Sequence, residues 1–97
     1  MHERLTEIRA QYAELTAQLG DPEIASDPKA YRQIVTTQKR LEPIAQLAEE
    51  QENLGNQLAE AQVLLNDDDA DMAEMARMEI EEIDERLVAL KDELQLA

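Results

Sequence analysis

The spacing of apolar residues at the start of the chain limits what the chain can fold into. Between residues 3 and 19 the apolar side chains recur at steps of three and four residues, and most residues between them are polar. This period places the apolar side chains on one face of an α-helix. We therefore predict an amphipathic helix over about residues 3–19, with an apolar stripe formed by Leu5, Ile8, Tyr12, Leu15 and Leu19.

A turn with two helix-start signals follows this helix. Gly20 is predicted to end the helix in a left-handed conformation, which glycine adopts without steric cost. Asp21 and Asp27 each precede a proline, a pattern typical of a capping carboxylate followed by the first helical residue. We expect a turn over residues 20–27 that contains a single helical turn at about 23–26.

The second helix is predicted to be long, over about residues 28–65. Pro43 lies inside it, and Gly55 weakens it. Because a proline removes one backbone hydrogen bond and crowds the carbonyl four residues back, we expect a kink or a short break near residue 43. The apolar stripe of this helix is Tyr31, Ile34, Leu41, Ile44, Leu47, Leu54, Leu58, Ala61 and Leu65.

A second turn and a third helix complete the pattern. We expect the turn over residues 66–71 and the helix over about 72–95, with Asp71 and Glu74 spaced as a capping pair. The fold class is predicted as all-α: an antiparallel three-helix coiled-coil-like bundle with a long, kinked middle helix, forming one domain over 1–97. The third stripe is Met72, Ala76, Ile80, Ile83, Leu87, Leu90 and Leu94.

Charge is unevenly distributed along the chain. The formal charge is −14 at pH 7, yet residues 1–41 contain six acids and six bases, whereas residues 42–85 contain fifteen acids and one base, Arg77. Such a surface repels phosphate, so we expect no direct DNA binding and a basic protein surface as the better partner. The first residues do not resemble a signal peptide, and no apolar run reaches the roughly 18 residues of a membrane span. We expect no membrane partner and a cytoplasmic protein.

Metal binding and catalysis are not predicted. Asp67, Asp69 and Asp71 match the first ligands of a calcium loop, but Met72 and Met78 stand where that loop needs Gly and Glu. One histidine and no cysteine leave no base or thiolate for nucleophilic catalysis. We expect no metal, no cofactor and no enzymatic activity in this chain.

The methionines of the third helix admit two interpretations. Met72, Met75 and Met78 are suited either to an adaptable docking surface or to packing in the core. Core packing is favoured, because two of them lie beside the apolar stripe.

Six short motifs occur in a specific order along the chain. They are Tyr12-Ala13-Glu14-Leu15, Leu19-Gly20-Asp21-Pro22-Glu23, Ser26-Asp27-Pro28, Leu41-Glu42-Pro43-Ile44, Leu64-Leu65-Asn66-Asp67 and Asp71-Met72-Ala73-Glu74-Met75-Ala76. In order and spacing the chain resembles, over essentially its whole length, the amino-terminal helical domain of the bacterial peptide chain release factor 1 family. These are the class I factors that read UAA and UAG. The short turn before the last motif favours this family over its UGA-reading sister.

The resemblance implies a domain that helps to dock a translation termination factor on the ribosome, near the stalk base of the large subunit. In the family, peptidyl-tRNA hydrolysis depends on a Gly-Gly-Gln loop and stop-codon reading on a Pro-x-Thr tripeptide, and neither occurs in this sequence. The chain therefore resembles a fragment of a larger factor, and no catalytic or codon-reading residue of the family carries over to it.

We expect ribosomal contacts from the turns rather than from the apolar stripes. For each candidate residue, the alternative interpretation is an acid that only caps a helix or lies in a solvated turn. The alternative function is a free-standing acidic coiled-coil adaptor or chaperone subunit, which the coding sequence after Ala97 would distinguish. We also expect that the isolated chain can self-associate through its stripes. The candidate contact residues are Asp21, Glu23 and Asp27 in one turn and Asp67, Asp68 and Asp69 in the other.

Overall fold

The computed structural model describes residues 2–96, most of which are helical. The all-α prediction with a long middle helix is confirmed. Helix α4 begins two residues before the predicted position 72, and α2 is the short helix expected inside the first turn. The helices are α1 at His2–Leu19, α2 at Pro22–Ala25, α3 at Pro28–Leu64 and α4 at Ala70–Leu96.

The chain divides into two compact units, one ending at Ala48 and the other beginning at Glu49. The boundary falls inside α3, so this helix contributes to both units. The first unit contains α1, α2 and the first part of α3, and the second contains the rest of α3 and α4. A single domain over 1–97 stays a prediction.

In the first unit, α1 and the first part of α3 form a helical hairpin. The five residues predicted for the α1 stripe are all half-buried, whereas most residues between them are exposed. The side-chain amide of Gln38 donates a hydrogen bond of 3.0 Å to Oγ1 of Thr16 and so joins the two helices. Ala45 and Ala48 are the buried residues of α3 in this unit, and their small side chains allow close helix packing.

In the second unit, α4 packs against the end of α3 through a small apolar core. Leu90 is fully buried, and its side chain contributes on the order of 2 kcal/mol to folding. The buried members of this core were all predicted as stripe residues from the three- and four-residue steps. They are Ala61 on α3 and Ala76, Ile83, Leu90 and Leu94 on α4.

The predicted stripes are wrong at their ends beside the turns. Tyr31, Leu65 and Met72 are 38%, 38% and 39% exposed. Tyr31 and Met72 lie in the first turns of their helices, and Leu65 follows the last residue of α3. The periodic pattern therefore continues beside the turns, although the side chains there are exposed.

Helix α3 continues through Pro43 without a break in its helical backbone. The residue is exposed, so the carbonyl of Lys39 that loses its usual partner is on a side open to water. The short break considered for this position does not occur. The bend near residue 43 stays a prediction.

The left-handed conformation predicted for Gly20 is wrong, because its φ is not positive. The backbone N–H groups of Gly20 and Asp21 instead donate to the carbonyls of Ala17 and Gln18, at 3.1 and 3.0 Å. These bonds span three residues and tighten the end of α1 into a turn of 3₁₀ type. Helix α1 therefore ends in a tightened last turn, and no residue with a left-handed conformation is needed there.

Candidate docking surfaces at two acidic turns

The first acidic turn, defined by Asp21, Glu23 and Asp27, connects α1 to α3 through the short helix α2. Asp21 is the N-cap of α2: its Oδ1 accepts the backbone N–H of Glu23 at 2.9 Å. Pro22 follows as the first helical residue, where its missing N–H costs nothing. The predicted cap at Asp21 is confirmed.

Asp27 caps α3 in the same way. Its Oδ1 accepts the backbone N–H groups of Lys29 and Ala30, each at 3.2 Å, and its backbone carbonyl accepts the N–H of Tyr31 at 2.9 Å. One residue earlier, the Ser26 hydroxyl donates to the carbonyl of Glu23 at 3.1 Å. The turn is thus fixed by side chains of its own sequence, and all three acidic residues remain exposed.

The second acidic turn, defined by Asp67, Asp68 and Asp69, connects α3 to α4. Oδ1 of Asp67 accepts the N–H of Asp69 at 2.8 Å, and Oδ1 of Asp69 accepts the N–H of Asp71 at 2.9 Å. The Asp67 N–H itself donates to the carbonyl of Leu64 at 3.1 Å. Successive aspartates therefore build this turn, and all three are exposed.

The capping pair predicted at Asp71 and Glu74 is wrong. Asp69 caps α4, and Asp71 is the second residue of the helix. Glu74 instead forms an exposed ion pair of 2.5 Å with Arg77, three residues later. Asp69 and Asp71 have the same capping chemistry, and the backbone starts α4 directly after the earlier of the two.

The six predicted contact residues differ in what their carboxylates already do. Four accept backbone N–H groups: Asp21, Asp27, Asp67 and Asp69. Among residues 2–96, the carboxylates of Glu23 and Asp68 have no hydrogen-bond or ion-pair partner. Glu23 and Asp68 are consequently the acids of each turn whose whole carboxylate is available to a partner. The described part of the chain contains no cluster of three or more His, Cys, Asp or Glu arranged to hold a metal ion.

Core packing of the α4 methionines is wrong for all three, since Met72 is also exposed. Met75 and Met78 are 66% and 58% exposed. The buried residues Ala76 and Ile83 define the inner face of α4, and Met78 lies on the side away from them. The thioethers of Met75 and Met78 therefore lie on the surface.

An ion-pair cluster in the second unit was not identified from the sequence. The guanidinium of Arg86 donates to both carboxylate oxygens of Glu50, with Nε to Oε2 at 2.6 Å and Nη2 to Oε1 at 2.8 Å. Its Nη1 also donates to Oε1 of Glu93 at 3.3 Å. This two-bond contact joins α3 to α4. The signal in the sequence is an arginine directly beside the stripe residue Leu87, in a helix whose acidic residues outnumber its basic ones.

The contact changes the acidity of both groups. Hydrogen bonding from Arg86 lowers the pKa of Glu50 below its ordinary value, and the facing positive charge adds to this. The hydrogen bond to Glu50 likewise raises the pKa of Arg86 above its already high value. Both side chains are about 40% exposed, so water screens their attraction, and the cluster serves to align two helices.

A helix that crosses a bilayer must be both long and apolar. Within residues 2–96, no helix combines the length and the apolar character that a membrane crossing needs.

Nearly the whole chain matches known proteins. Residues 8–97 match the PCRF domain. The peptide chain release factor 1 of Deinococcus deserti is 38% identical over 96 residues, that of Bacillus licheniformis 33% over 97, and that of Acidobacterium capsulatum 30% over 96. Each comparison covers 99% of this chain but 26 or 27% of the relative, so the chain spans about a quarter of the relatives' length. No solved structure matches the chain.

Proposed function

Because this chain belongs to the PCRF domain family, we propose that it is the amino-terminal helical domain of a translation termination factor and helps to dock that factor on the ribosome. The observation that carries this proposal is the match of 99% of the chain to about a quarter of each release factor 1 relative. The alternative of a free-standing adaptor is not supported, since these relatives are all peptide chain release factors.

We propose that other parts of the full-length factor carry out peptide release and stop-codon reading. That factor would promote stop-codon-dependent hydrolysis of peptidyl-tRNA in the cytoplasm. This chain has no Gly-Gly-Gln and no Pro-x-Thr sequence, so we assign it no catalytic or codon-reading residue. A helical chain with exposed acidic turns is suited instead to positioning.

The proposed contacts are made by the two acidic turns on basic ribosomal proteins near the stalk base of the large subunit. Glu23 and Asp68 are exposed and have no carboxylate partner among residues 2–96, so neither has to break an internal bond to meet a lysine or arginine. Exposed charges of this kind mainly accelerate association with a surface of opposite charge.

The test is charge reversal in the full-length factor. Glu23→Lys and Asp68→Lys each leave the caps made by Asp21, Asp27 and Asp69 in place. For a turn that contacts a basic protein, we expect ribosome affinity to fall about fivefold per reversal, from about 1 kcal/mol per exposed pair. Peptide release should slow at subsaturating factor and recover at high factor concentration.

Glu60→Lys is the matched control, because Glu60 is exposed on α3 outside both turns and carries the same charge change. The control should bind the ribosome like the unchanged factor. If Glu23→Lys or Asp68→Lys also binds normally, the corresponding turn is not a contact surface. If release fails even at saturating concentrations of either variant, the turns do more than dock.

A further inference from the structure

The first part of α3 is basic in an otherwise strongly acidic chain. Residues 28–41 contain no Asp or Glu, and they carry four of the nine Lys and Arg residues of a sequence with a net charge of −14. We call these four residues the basic stripe: Lys29, Arg32, Lys39 and Arg40.

The basic stripe lies on the outward side of α3. At 3.6 residues per turn, positions 29, 32, 36 and 40 fall along one face, with 39 at its edge. Ile34, Leu41 and Ala45, which face the helical hairpin, lie on the opposite side. All four cations are exposed, and from the first to the last they extend about 16 Å along the helix.

These cations are not neutralised by the chain itself. Within residues 2–96 none of the four forms an ion pair, and Arg32 uses only its Nε, which donates to the carbonyl of Pro28 at 3.2 Å. In the second unit, by contrast, Arg77 and Arg86 both meet carboxylates. The charge of the stripe is therefore directed outward.

A shallow, open depression lies on this face and is lined by Arg32, Gln33, Thr36 and Thr37. The hydroxyls of Thr36 and Thr37 donate to the carbonyls of Arg32 and Gln33, at 2.9 and 3.1 Å. The guanidinium Nη atoms and the Gln33 amide remain as donors at its rim. Donors around a depression without a carboxylate suit an anion rather than a cation.

We propose that the basic stripe binds the phosphate backbone of RNA. The stripe offers only charged and polar side chains, and phosphate contacts in protein–nucleic acid complexes come from arginine, lysine, threonine and glutamine. Charge complementarity supports this occupant, because residues 28–41 carry four cations and no acid. This surface is separate from the acidic turns, so the inference does not depend on how the turns act.

The experiment measures binding of the 97-residue chain to a fluorescein-labelled RNA hairpin by anisotropy at about 50 and 200 mM salt. We expect binding at the lower salt and a loss of roughly a hundredfold at the higher salt, as for about four phosphate contacts. The double variant Arg32→Gln with Arg40→Gln should bind about tenfold more weakly, with a salt slope lower by about 2. Circular dichroism verifies that the variant is as helical as the unchanged chain.

The matched control is Arg77→Gln with Lys91→Gln, which removes two exposed cations from α4 and changes the net charge equally. The control should bind the hairpin within about twofold of the unchanged chain, as expected for charges outside the contact. The proposal is overturned if the chain does not bind RNA at about 50 mM salt, or if both double variants lose affinity equally. Displacement of the RNA by poly-glutamate as readily as by unlabelled hairpin would instead assign the stripe to an acidic protein and also overturn it.

Discussion

Asp27 uses one carboxylate oxygen to start α3. That oxygen accepts two backbone N–H groups that have no partner within the helix, those of Lys29 and Ala30. Asp68 lies in the other turn, equally exposed, and its carboxylate accepts no backbone N–H among residues 2–96. Asp27 therefore caps a helix and Asp68 does not, although both residues lie in acidic turns.

This difference predicts a stability contrast. Asp27→Ala should lower the free energy of unfolding by about 1 kcal/mol, because the cap is lost. Asp68→Ala should change it by no more than about 0.5 kcal/mol. Urea denaturation followed by circular dichroism measures both, and equal losses would mean that the Asp27 cap contributes nothing specific.

The contact between Glu50 and Arg86 predicts a pH dependence. The pKa of Glu50 is lower in the folded chain than in the unfolded chain, so the folded state binds fewer protons. The stabilisation is fully present above the unfolded value of about 4.3, and it is lost as pH falls through the folded value.

We therefore expect Glu50→Gln to lower the unfolding midpoint at pH 7 and to have a smaller effect at about pH 2, because protonation of Glu50 weakens its contact with Arg86. Thermal or urea unfolding at the two pH values provides the measurement. Glu60→Gln, on an exposed position of the same helix, is the control and should show no such convergence. A deficit of the same size at both pH values would contradict the assignment.

At the scale of the helix, Gly55 is the weak point of α3. It lies in the interior of the helix and is exposed, and a Cβ built on it meets no atom within 4 Å. Glycine in a helix costs conformational entropy and gains no packing at this position.

Gly55→Ala should raise the free energy of unfolding by about 0.5 to 1 kcal/mol. Gly20→Ala is the comparison, because a Cβ there would lie 3.4 Å from the Ala17 carbonyl oxygen and should gain less. Urea midpoints of the two variants decide the order. A destabilised Gly55→Ala chain would show that this position needs close approach of another surface.

The helices were predictable where a pattern repeats and unpredictable where it ends. All five stripe positions of α1 are half-buried as predicted, since each is supported by neighbours three and four residues away. Tyr31, Leu65 and Met72 continue the same period but lie at helix ends, where coverage depends on the length of the facing helix. Sequence periodicity contains no information on that length.

The turns show the same limit for the candidate site. The sequence identified the acidic residues but not the division between backbone-bound and available carboxylates. In the run from Asp67 to Asp69, each residue has the same capping chemistry, so only the backbone path decides that Asp69 starts α4. The Arg86 cluster was missed because it joins residues 36 positions apart in sequence.

For the molecule as a whole, the main electrostatic property is self-repulsion. The chain has 23 acidic and 9 basic residues, and few of the acids meet a base within residues 2–96. Repulsion between exposed like charges destabilises the folded state. At 0.1 M salt, the repulsion between charges more than about 10 Å apart is largely screened.

Stability should therefore rise with ionic strength. We expect the urea midpoint of the 97-residue chain to increase between about 20 and 200 mM sodium chloride, because screening relieves more repulsion than attraction. Repeating the series with potassium chloride controls for ion-specific effects. A midpoint that falls with salt would mean that attractive pairs such as Glu50–Arg86 outweigh the net charge.

The exposure of Met75 and Met78 has a consequence for chemical damage. Peroxide converts an accessible thioether to a sulfoxide, which is polar and which destabilises a protein when it forms in a packed interior. On α4 this conversion would occur where water already reaches, while the inward-facing residues Ala76, Ile83 and Leu90 contain no sulfur. The second unit is thus built so that its most oxidisable atoms lie outside the contacts that hold its helices together.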